Sequence, residues 1–189
     1  GTPLPEFYLE HPLKTPPTTI KQICYAGRLA AEKNIDLIIQ AAAHFSHIKF
    51  VIIGEGPLRN KLKKQASKLK NVLFMTWLNR EELVNIVDLS NALLLPSKIE
   101  TFGSVAFEAM ARGRPVIVSK NAGINEWDTL RKNILQLDNE GELINCIQKL
   151  IDMNDEERIT LSNNAHSAAR EFHDQTVEQW INLLTEESA

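Results

Sequence analysis

Cysteine is scarce in this sequence, with two residues in 189, Cys24 and Cys146. Each sits inside an apolar segment, Ile23-Cys24-Tyr25 and Cys146-Ile147. This pattern excludes a disulfide framework, reads as core, and points to a reducing, cytosolic compartment. Long hydrophobic runs are missing too: the longest apolar stretches, such as 37–43 and 92–95, fall far short of the ~20 residues that a membrane-spanning helix requires. No signal-peptide pattern opens the chain, because residues 1–17 are proline-rich and carry no apolar stretch of that kind. A basic excess is also lacking. With 21 Lys and Arg against 24 Asp and Glu, no field surrounds the molecule that would draw it onto nucleic acid, so nucleic acid is not an expected partner. Any anion site must be local.

What is present is 43% hydrophobic content, ample for one buried core. The chain opens on Gly1, and Pro3, Pro5, Pro12, Pro16 and Pro17 crowd its first segment. Residues 1–18 are therefore expected to be an extended tether, the remnant of a linker leaving a preceding domain. Beyond it, short β-prone runs at 20–26, 49–53, 72–75, 92–95 and 115–119, with a weaker one at 133–137, alternate with amphipathic stretches. The helical patterns lie at 33–45, 57–69, 80–89, 102–112, 140–151, 155–172 and 176–186. Pro57 suits a first helical turn, and Asn154 or Asp155 a cap. The near-continuous apolar character of the β-prone runs suits strands covered on both faces. The predicted architecture is α/β, a doubly wound, Rossmann-like parallel sheet with C-terminal helices, and ligands belong at the carboxyl ends of its strands.

The loops there carry the chemistry. Gly27-Arg28-Leu29-Ala30-Ala31-Glu32-Lys33 places a permissive glycine and two cations before a helix, which suits a phosphate or diphosphate; the alternative is a pair of solvated charges, with Glu32 pairing locally. Gly54-Glu55-Gly56-Pro57-Leu58 has two glycines of a dinucleotide-binding loop, but Arg59 holds the third position, which argues against a nicotinamide cofactor. It reads as a tight turn whose glycines allow close backbone approach. The helix that follows is basic at Arg59, Lys61, Lys63, Lys64, Lys68 and Lys70. A solvated face is the favoured reading over peripheral contact with anionic lipid.

The most informative segment is Glu100-Thr101-Phe102-Gly103-Ser104-Val105-Ala106-Phe107-Glu108. On a helix over 102–112, Glu108 falls on a stripe with Ser104 and Arg112 beside the buried face. Two readings compete. In one, Glu108 pairs with Arg112 at i,i+4 for ~0.3–0.5 kcal/mol and Glu100 favours the helix dipole. In the other, eight residues of helix rise ~12 Å, so the two carboxylates span a nucleotide sugar whose phosphates meet the amides near Gly103 and Ser104. A carboxylate accepts two hydroxyl hydrogen bonds at once, as a ribose diol requires.

Taken together, Gly27-Arg28-Leu29 with Lys33, Gly54-Glu55-Gly56-Pro57, Leu95-Pro96-Ser97, the Glu100 and Glu108 pair, Glu108-Ala109-Met110-Ala111, Gly113-Arg114-Pro115-Val116, and Gly123 with Glu126 resemble one known domain. It is the C-terminal, donor-binding domain of the retaining GT-B glycosyltransferases of family four, and the resemblance runs over about 20–128. It implies that Arg28 and Lys33 bind the donor diphosphate and that Glu108 takes the ribose. It also implies that Glu100 faces the transferred sugar, with Glu100, Arg28 and Lys33 forming the catalytic set. Gly27, Gly54, Glu55, Thr101, Phe102, Gly103, Ser104 and Val105 would complete the donor site, and the backbone at Trp77 and Leu78 would edge the base pocket. No metal or other cofactor is implied. The sequence departs from the family pattern at Thr76, commonly glycine, and at Asn125, commonly proline; core packing is the favoured role for the Trp77 side chain itself.

The domain organisation expected is therefore a tether at 1–18, a nucleotide-sugar-binding domain at 19–172, and a C-terminal helix at 173–189. Val177, Trp180, Ile181 and Leu184 on that helix would pack on an N-terminal acceptor domain. The function implied is transfer of a hexose from a nucleoside diphosphate sugar to a glycan or lipid-linked acceptor, in the cytoplasm or at the inner face of the membrane. The alternatives are a non-catalytic nucleotide-sugar-binding or assembly module, or another enzyme on the same scaffold such as a sugar phosphorylase or epimerase. His166 and His173 are assigned no catalytic role.

Overall fold

A computed structural model describes residues 2–186; Gly1 and the last three positions of the predicted C-terminal helix lie outside them. Six strands, β1 (Gln22–Ala26), β2 (Lys49–Ile53), β3 (Val72–Met75), β4 (Ala92–Leu95), β5 (Val116–Ser119) and β6 (Leu135–Leu137), form one parallel sheet in the order β3-β2-β1-β4-β5-β6. From β1 the chain runs outward through β2 and β3, then returns to β4 on the other side of β1. The crevice at this reversal is flanked by the loops after β1 and β4.

Successive strand residues feed opposite layers. Ile23 and Tyr25 of β1, Phe50 and Ile52 of β2, Leu94 of β4 and Ile117 of β5 pack on one face. Cys24 and Ala26, Val51 and Ile53, Leu93 and Leu95, and Val116 and Val118 pack on the other. This is why the strands read as unbroken apolar runs: both phases of a period-two pattern are buried. The first face is covered by α2 (Asp36–His44), α3 (Arg59–Gln65) and α7 (Leu143–Asp152). The second is covered by α1 (Glu6–Glu10), α4 (Arg80–Leu89), α5 (Ser104–Ala111), α6 (Asp128–Arg131) and α8 (Asp155–Glu186). Single 3-10 turns lie at Ala31–Lys33, Gly123–Glu126 and Glu140–Glu142. Both cysteines are free and buried.

Several sequence expectations change. The helix expected over 57–69 with Pro57 in its first turn spans only Arg59–Gln65, and Pro57 lies in the turn before it. The first segment is not an extended tether: α1 forms within it, Leu4 and Tyr8 are buried, and the Leu4 amide donates to His173 Nδ1 at 3.0 Å. The helix expected from residue 33 starts at Asp36, because Lys33 closes a 3-10 turn and Asn34 follows in a left-handed conformation (φ 55°), which asparagine tolerates. The two terminal helices are one, since α8 runs without a break through residues 172–176. Of the two caps expected, Asn154 serves, in a capping box where its side chain accepts from the Glu157 amide (3.0 Å) and Glu157 accepts from the Asn154 amide (2.8 Å).

Candidate functional site

Main-chain contacts at the carboxyl edge of the sheet build the frame of the site. The Leu29 amide donates to Glu55 O (2.8 Å), and the Leu58 amide donates back to Leu29 O (3.0 Å), so the loops after β1 and β2 are bonded together. Gly54 permits this: its φ is 136°, and a Cβ there would stand 2.0 Å from Gly27 O. The Lys98 amide donates to Glu32 O (2.7 Å), tying the loop after β4 to the same group. From the far side, the Gly123 and Ile124 amides donate to Glu100 O (3.0 Å) and Phe102 O (2.8 Å). Gly123 matters here because a Cβ would meet Thr101 O at 2.0 Å. Asn125, at the position where proline is common, donates its side-chain amide to Ser119 O (2.9 Å) and Ala122 O (3.1 Å), bracing the same turn.

Within this frame Lys33 and Glu100 meet, Nζ to Oε2 at 2.7 Å, both about four-fifths buried. Glu32 does not take that partner. The Arg28 side chain, in the same loop as Lys33, is exposed and makes no hydrogen bond or ion pair among the described residues. Its backbone is fixed, because the buried Tyr25 hydroxyl donates to Arg28 O at 2.9 Å. Glu55 pairs with Arg59, whose guanidinium also reaches Gly54 O.

The helix α5 begins at Gly103, which caps it in a left-handed conformation (φ 101°). The Ala106 and Phe107 amides donate to Gly103 O, while those of Ser104 and Val105 donate to no backbone carbonyl among the described residues. Two N–H groups thus point out of the helix start, where the helix dipole also favours an anion. Thr101 and Ser104 are exposed at this turn, and Val105 is half-buried. Phe102 pins the turn from beneath: its ring stacks on Phe172 of α8 (5.9 Å) and meets Phe107 edge-on (5.6 Å).

Glu108 stands one turn further along α5. It does not pair with Arg112, which is fully buried and bound to Asp88 instead, so the i,i+4 reading fails. Nor is Glu108 a freely solvated stripe residue. It is half-buried, and its Oε2 accepts a hydrogen bond from the Tyr8 hydroxyl at 2.8 Å. Burial pushes the Glu108 carboxyl above the ordinary carboxylate range, while the Tyr8 hydrogen bond and the Arg80 charge pull it back. Burial, followed by the Glu108 charge, raises the Tyr8 phenol, which therefore stays protonated as the donor.

Trp77 is 58% exposed and not part of the core. Its ring lies 3.6 Å from the position a Gly54 Cβ would take, so it forms part of the rim beside the joined loops. Leu78 next to it is half-buried against the core. The lysines of α3 and its continuation, Lys61, Lys63, Lys64, Lys68 and Lys70, are all exposed. His166 and His173 serve structure: their Nδ1 atoms bond Ala111 O (2.7 Å) and the Leu4 amide.

The sequence reading missed Tyr8 and the buried Asp88, Arg112 and Arg114 cluster. The visible signal for Tyr8 was an aromatic pair, Phe7-Tyr8, inside a proline-rich stretch, where it acts as an anchor. Nothing local marks Asp88, because its partners lie 24 and 26 positions away.

The chain resembles known proteins in sequence and in fold. The chain is 33% identical over 111 residues to alpha-D-kanosaminyltransferase from Streptomyces kanamyceticus, covering 55% of this chain and 29% of that protein. It is also 33% identical over 114 residues to a GDP-mannose-dependent alpha-(1-6)-phosphatidylinositol dimannoside mannosyltransferase from Mycobacterium tuberculosis, covering 58% and 30%. The matches thus span under a third of those relatives' length. The fold is similar to that of Anabaena HepE, solved with UDP and glucose (TM-score 0.74, 22% identity, covering 90% of this chain and 49% of that one). It is likewise similar to the catalytic domain of cholesterol-alpha-glucosyltransferase from Helicobacter pylori (TM-score 0.71, 22% identity, covering 82% and 99%). The model of one family, described as glycosyl transferases group 1, matches residues 10–168, and the chain belongs to that family.

Proposed function

We propose that this chain is the donor-binding half of a glycosyltransferase that moves a hexose, with retention, from a nucleoside diphosphate sugar to a glycan or lipid-linked acceptor. The observation that carries the reading is the Lys33–Glu100 pair, with exposed Arg28 in the same loop as Lys33 and the open start of α5 just after Glu100. Arg28, Lys33 and the Ser104 and Val105 amides would receive the diphosphate. As the bond from the anomeric carbon to the phosphate oxygen breaks, negative charge grows on the departing nucleoside diphosphate. Fixed cations and amides at that point stabilise the transition state more than the ground state, with no metal assigned to the task. Glu100, already oriented by Lys33, would face the sugar.

Glu108 would take the ribose diol, and exposed Trp77 would offer its ring to the base. Relatives described as GDP-mannose-dependent and a fold neighbour solved with UDP and glucose support a nucleotide-sugar donor in general. The acceptor would come from an N-terminal domain, with Trp180, Ile181, Leu183 and Leu184 of α8, each more than half exposed, docking on it. Among the described residues no helix is long and apolar enough to cross a membrane. The reading places the enzyme in the cytoplasm, its α3 lysines available to an anionic membrane face. Calorimetry of the chain with UDP, GDP and ADP tests the proposal: one should bind, and silence from all three at millimolar concentration refutes it.

A further inference from the structure

The Tyr8–Glu108 contact joins a segment outside the sheet to a carboxylate of the site. Tyr8 is 5% exposed, and a buried phenol needs an acceptor. Its place does not depend on Glu108, because the segment is held at both ends of α1. The Leu4 amide is bound to His173, and the His11 and Pro12 carbonyls receive Arg112 Nη1 (2.7 Å) and Nη2 (2.6 Å). The Tyr8 ring also packs edge-on against Phe7 at 5.8 Å. Glu108, in contrast, is a long side chain on a helix surface, with Tyr8 as its one hydrogen-bond partner among the described residues. The fixed member of the pair is the phenol, and the member being held is the carboxylate.

We propose that Tyr8 is a positioning residue for donor binding: its hydroxyl holds one oxygen of Glu108 so that the carboxylate is presented, in one rotamer, to the ribose diol of the nucleotide. A carboxylate offers about four lone-pair sites, so the single Tyr8 bond leaves enough for two ribose hydroxyls. Without the phenol the side chain must be ordered on binding, and that entropy weakens affinity. The inference rests on the assignment of Glu108 to the ribose.

The test is calorimetry of the chain and its Tyr8→Phe, Glu108→Ala and doubly substituted variants. The probes are UDP, GDP and ADP and their 2′,3′-dideoxy counterparts, with thermal midpoints confirming that each variant is folded. Phenylalanine keeps the ring, so packing is retained. Tyr8→Phe should weaken the nucleotide that binds by about five- to tenfold, change the dideoxy form by no more than about twofold, and add nothing in the Glu108→Ala background. Unchanged affinity, an equal loss on both sugars, or a loss that persists without Glu108 overturns the proposal. Failure of the unsubstituted chain to bind any of the nucleotides instead overturns the donor-site reading and takes this inference with it.

Discussion

Replacing Asp88 by alanine should destabilise the fold by about 3 kcal/mol or more, because breaking a buried ion pair from one side costs about 3–5 kcal/mol. The carboxylate has no exposed surface, and neither has the Arg112 guanidinium, which grips it twice through Nε (3.0 Å) and Nη2 (2.8 Å). Arg114, itself 1% exposed, brings a second cation to 4.0 Å. Removal of Asp88 leaves two desolvated cations facing each other. The loss is tempered because Arg112 keeps the His11 and Pro12 carbonyls and Arg114 keeps Lys14 O (3.0 Å) and the main-chain oxygen of residue 88 (2.7 Å). That argues for the lower end of the range. Urea unfolding followed by far-ultraviolet circular dichroism reads it directly: at a slope of about 2–3 kcal/mol/M, the midpoint should fall by about 1 M. Asp88→Asn, which keeps shape and one acceptor, should lose less. A loss below about 1 kcal/mol for Asp88→Ala would refute the reasoning, since it would mean that the carboxylate is solvated or the arginines are free to leave.

Arg28→Ala should weaken nucleotide binding by about 1.5–3 kcal/mol, the worth of a hydrogen bond to a charged group, with no change in thermal midpoint, because the side chain has no partner among the described residues. Equal affinity would return it to the solvated-charge reading. Gly54→Ala combines a strained φ with a Cβ 2.0 Å from Gly27 O and should cost at least about 2 kcal/mol in a melting experiment; an unshifted midpoint would deny the close loop contact. Glu108 has a folded-state pKa raised by burial, so its contribution to stability is present below its unfolded value and lost as pH rises through the folded one. Glu108→Gln should therefore remove that part of the pH dependence of stability, and with it an acid limb of nucleotide affinity lying above the ordinary carboxylate range; limbs of the same position in both proteins would refute the assignment.

The sheet was legible because both phases of β1, β2, β4 and β5 are buried. Strands β2, β3 and β4 fall where the apolar runs place them, and only the ends of β1, β5 and β6 are shorter. Lys33 and Glu100 were both singled out, yet their direct contact was not foreseen, since 67 residues separate them and only the switch-point topology brings them together. The helix wheel misjudged Glu108 and Arg112 because it knows only its own helix. What buries Arg112 is Asp88 on α4, and what covers Glu108 is Tyr8 on α1. Trp77 was misassigned for the complementary reason: a large apolar ring implies core by composition, and only the strand-end geometry puts it on the rim. The proline count in the first segment suggested an extended tether because it took no account of the anchors, Leu4 and Tyr8, that fix this chain to a surface.

The loops at the carboxyl edge are joined by main-chain bonds: Leu29 to Glu55, Leu58 to Leu29, Lys98 to Glu32, and Gly123 and Ile124 to residues 100 and 102. A peptide bond donates and accepts whatever side chain it carries, proline's missing donor excepted. The geometry of this edge is thereby uncoupled from most of the chemistry mounted on it. Arg28, Glu55, Thr101 or Trp77 can be exchanged while the platform keeps its shape. The few positions that cannot change without moving the platform are those where main chain touches main chain, Gly54, Gly56 and Gly123. Such a division lets the chemistry of this edge be retuned by substitutions that leave its architecture intact.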